Sequence, residues 1–390
     1  MSRLAALGTM WRKDHVQRTL RGVQAYPVPC ATLYPELYVG PRVLPKLAEV
    51  YQELAGGERE LSLTLEQELE AQVEAYFRAW ELFDPPFAWV YGLPFAPFSA
   101  YEGVTVRLGD GLCIRRAADG GETDLLHPQD CPLTHTWDRG GLPSLEELDR
   151  LVPLLDADEM MAQGYHELAR RFAERCAGRA WLVAAVPSPY ETLNVLGFVG
   201  MMEVLRRDPP LADAIIARGS HNALQLARLY RAAGIDGVFF EECWASSDLI
   251  SVADYERFAA EADRCVISAL KADGFDVLFH MTGGVEGRLP IIKQYGADAV
   301  ALEDSKKNFV VDLRDARRQL GEEVTLWGNL SPLIVRDGPQ ERIATCVREQ
   351  FAQAGPPFVV SCGSPLTPDT PLDNVNTLLR AAALLCQPPG

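Results

Sequence analysis

From residue 180 onward, short apolar runs alternate with stretches in which apolar positions recur every three or four residues. The first pattern is that of buried strands, the second that of helices with one apolar face. Six strands follow in order, at residues 180–186, 236–241, 276–280, 299–302, 325–328 and 358–361. Helical patterns lie between them, one running to Arg231, one over residues 252–272 and one starting near Gly287. Three of the strands follow a glycine turn, at Gly234, Gly274 and Gly296, where a residue without Cβ closes the preceding helix in the left-handed conformation. Alternating units of this kind build a parallel sheet. At 390 residues the chain fits eight such units with additions at the N-terminus and in the loops. Residues 28–33 and 88–91 supply the two strands still needed. The expected fold is therefore α/β, a (β/α)8 TIM barrel with N-terminal and loop embellishments, forming one domain over residues 1–390. Residues 64–83 have helical spacing, and residues 104–116, centred on Leu108-Gly109-Asp110-Gly111, read as an inserted hairpin. Residues 117–160 show no clear period.

Composition narrows the partners. Apolar residues make up 48% and charged residues 23%, values that place the chain among ordinary globular proteins. The formal net charge of -17 argues against nucleic-acid and anionic-membrane surfaces, which require a basic face. No apolar run approaches the roughly 18 residues of a spanning helix. Residues 1–21 carry scattered Arg and Lys without the apolar core of a secretory leader. The expectation is a cytoplasmic protein acting on a small molecule. Nine cysteines with no Cys-x-x-Cys pair agree with reduced thiols.

An α/β barrel carries its active site at the C-terminal ends of its strands. Those ends read Glu241-Glu242-Cys243, His280-Met281-Thr282-Gly283-Gly284, Glu303-Asp304, Gly328-Asn329 and Ser361-Cys362-Gly363. Each has a purely structural reading. His280 can cap the next helix, Cys362 can be a small buried residue, Glu242 a solvated loop carboxylate, Asp304 a partner of Lys306 or Lys307, and Asn329 an N-cap. The case for chemistry rests on their convergence at one end of one barrel.

Several of these pieces carry a resemblance. Trp327-Gly328-Asn329-Leu330-Ser331-Pro332, Ser361-Cys362-Gly363-Ser364-Pro365 and Thr367-Pro368-Asp369-Thr370-Pro371-Leu372-Asp373-Asn374-Val375 resemble the C-terminal signature of the uroporphyrinogen decarboxylase superfamily. Phe279-His280-Met281-Thr282-Gly283-Gly284 is similar to its His-x-Cys-Gly turn, and residues 237–251 to the segment that ends in Ile-Ser before a helix. The likeness runs from about residue 180 to the end.

Two branches of the superfamily imply different chemistry. Decarboxylases of porphyrinogens hold many substrate carboxylates with an Arg-rich N-terminal run; here Arg12, Arg18 and Arg21 stand apart. The other branch, cobalamin-dependent and coenzyme M methyltransferases, binds zinc through His, Cys and a distant Cys. His280 and Cys362 match two of those positions, while Thr282 stands in place of the middle Cys. The resemblance then implies a third ligand from Glu242, with Cys243 as the alternative. Three ligands and one open position is the catalytic zinc pattern, and zinc deprotonates a bound thiol. The first expectation is thus a zinc-dependent methyltransferase-like enzyme that activates a thiol or similar soft nucleophile. Its methyl donor would be a corrinoid on a partner protein. Glu242, His280 and Asp304 are its expected catalytic groups, and Glu303, Thr282 and Asn329 its substrate contacts. The second is a metal-independent decarboxylase or lyase acting on a small carboxylated substrate, with Glu242, His280 and Asp304 as acid/base groups and Cys362 structural. The third is a partner-binding scaffold that keeps the barrel without the chemistry.

Overall fold

The computed structural model describes residues 12–109, 111–127 and 141–385. Seven parallel strands lie side by side in chain order: β1 (Trp89–Val90), β2 (Trp181–Pro187), β3 (Gly237–Glu242), β4 (Asp276–Met281), β5 (Ala299–Leu302), β6 (Thr325–Trp327) and β7 (Phe358–Val359). Residues 29–31 close the ring as its eighth stave. On one side Ala31 N donates to Val360 O (3.0 Å) and Val360 N donates to Pro29 O (2.9 Å); on the other, Ala88 N donates to Cys30 O (2.9 Å). The expected (β/α)8 barrel is present, and both N-terminal strands fall within the expected stretches.

The strands are almost wholly buried on both faces, as a parallel sheet wrapped by helices requires. The lumen is filled by large rings. Trp89 packs on Trp181 (6.1 Å between centroids) and, across the closing staves, on Trp327 (5.1 Å), with Phe239 at 5.9 Å from Trp89. One glycine is forced by this filling. A Cβ on Gly237 would lie 2.1 Å from the Trp181 indole, so no larger residue fits opposite that ring. The outer face packs against helices, where a Cβ on Gly328 would meet Gln350 and Phe358.

A second, smaller core lies beside the barrel. Helices Pro35–Ala55 and Leu65–Trp80 cover an antiparallel sheet of Glu60–Ser62, Thr105–Gly109, Leu112–Arg116 and Glu122–Asp124. Val43, Leu47, Tyr51, Ala75, Val104, Val106 and Cys113 are buried between them. The expected hairpin is the pair Thr105–Gly109 and Leu112–Arg116, with Asp110 outside the described residues. The expected helix at 64–83 starts on Thr64, whose side chain caps it in a box with Gln67. Of the unreadable stretch 117–160, the structure places the strand Glu122–Asp124 and the short helices Leu148–Leu151 and Ala157–Ala162. Residues 128–140 lie outside the described residues, as do Cys131 and Cys386. Among the described residues no helix is long and apolar enough to cross a membrane.

Candidate active site

Strand register decides which side chains enter the barrel. Glu241 pairs with His280, His280 with Ala301, Ala301 with Trp327 and Trp327 with Val359. Paired residues of a parallel sheet share a face, and successive residues alternate. Trp327 and Phe239 mark that shared face as the lumen, so Glu241 and His280 point in and Glu242 points out, toward the helices.

The contacts of Glu242 agree. Its carboxylate accepts from Ser188 Oγ (2.7 Å) and from Trp244 N (3.3 Å). Its electrostatic neighbours are Tyr190, Tyr255, Asp263 and Arg288, which lie outside the β3 wall. Burial in that dry layer pushes its carboxyl up to about 7. This corrects the expectation that Glu242 would join His280: the phase of β3 selects Glu241, and two residues on, Cys243.

A cluster forms around the Tyr34 hydroxyl. It donates to Glu241 Oε1 and lies 3.3 Å from His280 Nδ1 and 3.5 Å from Cys243 Sγ. Tyr34 takes a left-handed φ of 49° directly before helix Pro35–Ala55, and that bend carries its phenol to the mouth of the ring. The single phenol proton goes to Glu241, so the phenol oxygen accepts from His280 Nδ1–H and the lone pair sits on Nε2. That Nε2 atom is buried and has no partner among the described residues. Burial lowers His280 to about 3, which keeps the imidazole neutral, and Phe239 stacks on it at 5.2 Å. Cys243 Sγ accepts from Thr282 Oγ1 (3.2 Å), and Cys243 N donates to Glu191 Oε1 (2.5 Å). Burial, with Glu191 and Glu241 beside it, raises Cys243 and holds it as a thiol. Burial also raises Glu191 and Glu241, and it pushes Glu36 up to about 8.

The other expected residues form a second group. Glu303 accepts from Gly283 N (2.6 Å), and Asp304 accepts from Lys306 Nζ (2.8 Å) and Ser364 Oγ (2.6 Å). Asn329 Nδ2 reaches the carbonyls of Glu303 and Val311, both at 3.4 Å. Cys362 is fully buried at the seam where β7 meets the closing stave, bridged to Leu330 and beside Thr32, Cys30 and Asp304. The structure therefore does not bring Glu242, His280 and Cys362 to one point. Glu242 faces away from the lumen and Cys362 is in the seam, while Cys243, the alternative ligand, lies with His280 around the Tyr34 hydroxyl. Among the described residues no three His, Cys, Asp or Glu side chains are grouped so as to hold a metal ion.

Four mouth residues escaped the sequence reading in its choice of ligands: Tyr34, Glu36, Glu191 and Glu241. Glu241 was on a strand end and lost only to its neighbour. Glu191 follows the end of β2 at Pro187, where Ser188-Pro189-Tyr190 carries no local sign of a site.

The uroporphyrinogen decarboxylase (URO-D) family model matches residues 140–384. The chain belongs to the uroporphyrinogen decarboxylase family. Within that family, a uroporphyrinogen decarboxylase from Synechococcus sp. (strain CC9605) is 24% identical over 302 residues, covering 75% of this chain and 81% of that protein. A methylated-thiol–coenzyme M methyltransferase from Methanosarcina mazei is 25% identical over 239 residues, covering 61% of this chain and 59% of that protein. A solved methyltransferase from Methanosarcina mazei superposes with a TM-score of 0.65 at 18% identity, over 95% of this chain and 97% of the other. That last likeness is one of fold. The URO-D relatives are thus enzymes of two kinds, decarboxylase and methyltransferase.

Proposed function

We propose that the chain is a methyltransferase that transfers a methyl group to a small thiol or similar soft acceptor held in the barrel mouth. Tyr34, Glu241 and His280 manage the acceptor's proton. The observation that supports this is the buried, unpartnered Nε2 of a neutral His280 whose other nitrogen leads through Tyr34 to Glu241. An acceptor S–H at Nε2 passes its proton to the ring. The Nδ1 proton moves to the Tyr34 oxygen, and the phenol proton moves to Glu241. The acceptor is left as a thiolate, its sulfur bonds the methyl carbon, and the donor–methyl bond breaks. Raised above the ordinary carboxylate range, Glu241 is a stronger base than a solvated glutamate. Kinship with a methylated-thiol–coenzyme M methyltransferase supports the reaction class. The donor is a corrinoid carried by a partner protein, as that branch implies. No step is drawn through zinc, because the expected ligands do not face one point. The cysteine spacing, with no Cys-x-x-Cys pair or disulfide framework, suits the reducing cytoplasm.

The test incubates the purified chain with methylcobalamin and a panel of small thiols, with thioether detected by mass. Glu241→Gln should slow thioether formation by about 10²–10⁴-fold, the usual range for a lost acid/base group. No thioether from any thiol, or an undiminished rate in Glu241→Gln, rejects the reading. The second reading, decarboxylation or lyase chemistry on a small carboxylate, is favoured by one feature. Glu36, pushed up to about 8 by burial, can stay protonated and deliver a proton to the carbanion left by CO2. Release of CO2 from small carboxylates without thioether formation selects it.

A further inference from the structure

We propose that a cavity beside the mouth binds a small alkylammonium cation, with Glu36 as its counter-ion. The cavity lies between the first turn of helix Pro35–Ala55, helix Leu65–Trp80 and β1. It is lined by Glu36 and by five aromatic rings, those of Tyr76, Trp80, Phe87, Trp89 and Tyr91. Its volume of about 90 Å³ is several times what one water needs and excludes a tetrapyrrole.

Three observations select a cation. Aromatic faces are electronegative, and rings arranged around a cavity hold methylated ammonium groups by cation–π attraction. Glu36 Oε2 is buried with no hydrogen-bond partner among the described residues. The carboxyl takes one hydrogen bond, from its own backbone N–H, which leaves the buried Oε2 unmatched; that is unfavourable, and a bound cation supplies the missing partner. The charge that acts on Glu36 from nearby is another carboxylate, Glu241, which raises it further. Arg42, the next cation along the same helix, is turned to Tyr38. Its guanidinium lies 3.7 Å from the centre of that ring and donates to the Tyr38 carbonyl.

The backbone is also shaped to admit Glu36. Gly92 follows Tyr91 at φ +81°, and a Cβ there would lie 2.4 Å from Glu36 Cβ. A glycine at this point lets the helix start press its carboxylate into the aromatic wall. Glu36 and Tyr91 both feel Glu241, so the cavity adjoins the reaction cluster. A substrate spanning both would place its cationic end here and its reacting atom near His280.

Binding is separable from the reaction proposed above and is tested without turnover. Choline and its neutral isostere 3,3-dimethylbutan-1-ol are titrated into the intact chain at pH 8.5 by isothermal calorimetry. Choline should bind saturably and at least about 10-fold more tightly than the alcohol. Glu36→Gln, which keeps the shape, should bring the two affinities together. Tyr91→Leu should weaken choline by about 3- to 30-fold, the span of cation–π contributions, with thermal melting confirming that each variant is folded. If Tyr91→Leu does not fold, Tyr76→Leu carries the same expectation. Absence of saturable choline binding, equal affinity for the two probes, or unchanged discrimination in Glu36→Gln overturns the proposal.

Discussion

Glu242 sits in a dry layer outside β3, and its orientation can be read through its proton. Its carboxyl is pushed to about 7 against an ordinary 4.5, chiefly by burial. At about 1.4 kcal/mol for each pH unit, ionising it in the folded chain costs about 3 kcal/mol. The sign follows from which state holds the proton more tightly. The folded chain does, so this stabilisation is full below pH 4.5 and is lost as pH rises through 7. The groups facing it do not reverse this. Asp263 is itself raised by burial and by Glu242, Tyr190 and Tyr255 are neutral phenols, and Arg288 donates to the carbonyls of Ala245, Ser246 and Ile250. Glu242→Gln keeps the shape and removes the titration. For a chain of this length the unfolding entropy is roughly 0.8 kcal/mol/K, so about 3 kcal/mol corresponds to about 4 °C. Melting curves of wild type and variant at pH 5 and pH 8, at matched ionic strength, give the comparison. Part of the effect is already lost at pH 5, so about 2.5 kcal/mol falls within this interval and the wild-type midpoint should drop by about 3 °C relative to the variant between the two pH values. A difference that does not change with pH would falsify the placement. It would mean that Glu242 is hydrated or beside a cation, as in a metal site at the mouth.

Two further outcomes follow from the site. Tyr34→Phe removes the hydroxyl between His280 and Glu241 but keeps the ring, so thioether formation should drop by about 10²-fold with KM little changed; an unchanged kcat would remove the phenol from the relay. Cys362→Ser exchanges a buried thiol for a buried hydroxyl, so it should cost about 1–3 kcal/mol of stability and leave the zinc content equal to that of wild type; elemental analysis showing zinc lost only from the variant would contradict the seam position of Cys362.

The barrel was legible because its strands are continuous apolar runs set off by glycine turns, and even residues 28–33 kept that character. The strand Glu60–Ser62 was not, because it is three residues long, largely exposed, and defined by pairing with Thr105–Gly109. The strand ends that carry the site were also legible, but not their phase. In β3 the residues before the carboxylates are Phe239 and Phe240, one facing the lumen and one the helices, and both fully buried. A strand buried on both faces erases the two-residue rhythm, so Glu241 and Glu242 could not be told apart until His280 fixed the register. Tyr34 and Glu36 were hidden for another reason. They reach the mouth because residues 29–31 run as a barrel stave and the chain then bends at Tyr34, a tertiary event with no local signature.

The closing stave also sets how the molecule is made. Cys30 and Val360 meet across about 330 positions of chain, among the longest loop closures the sequence permits. Topologies dominated by such distant pairings fold slowly. On the ribosome, β1 to β6 exist before β7 and can pair only as an open, curled sheet with two bare edges. Each edge offers unpaired amides and carbonyls to any neighbouring strand, its own or another chain's. Ring closure thus waits until β7 has been made, and the mouth, whose Tyr34 follows directly on the closing stave, is assembled in the same step.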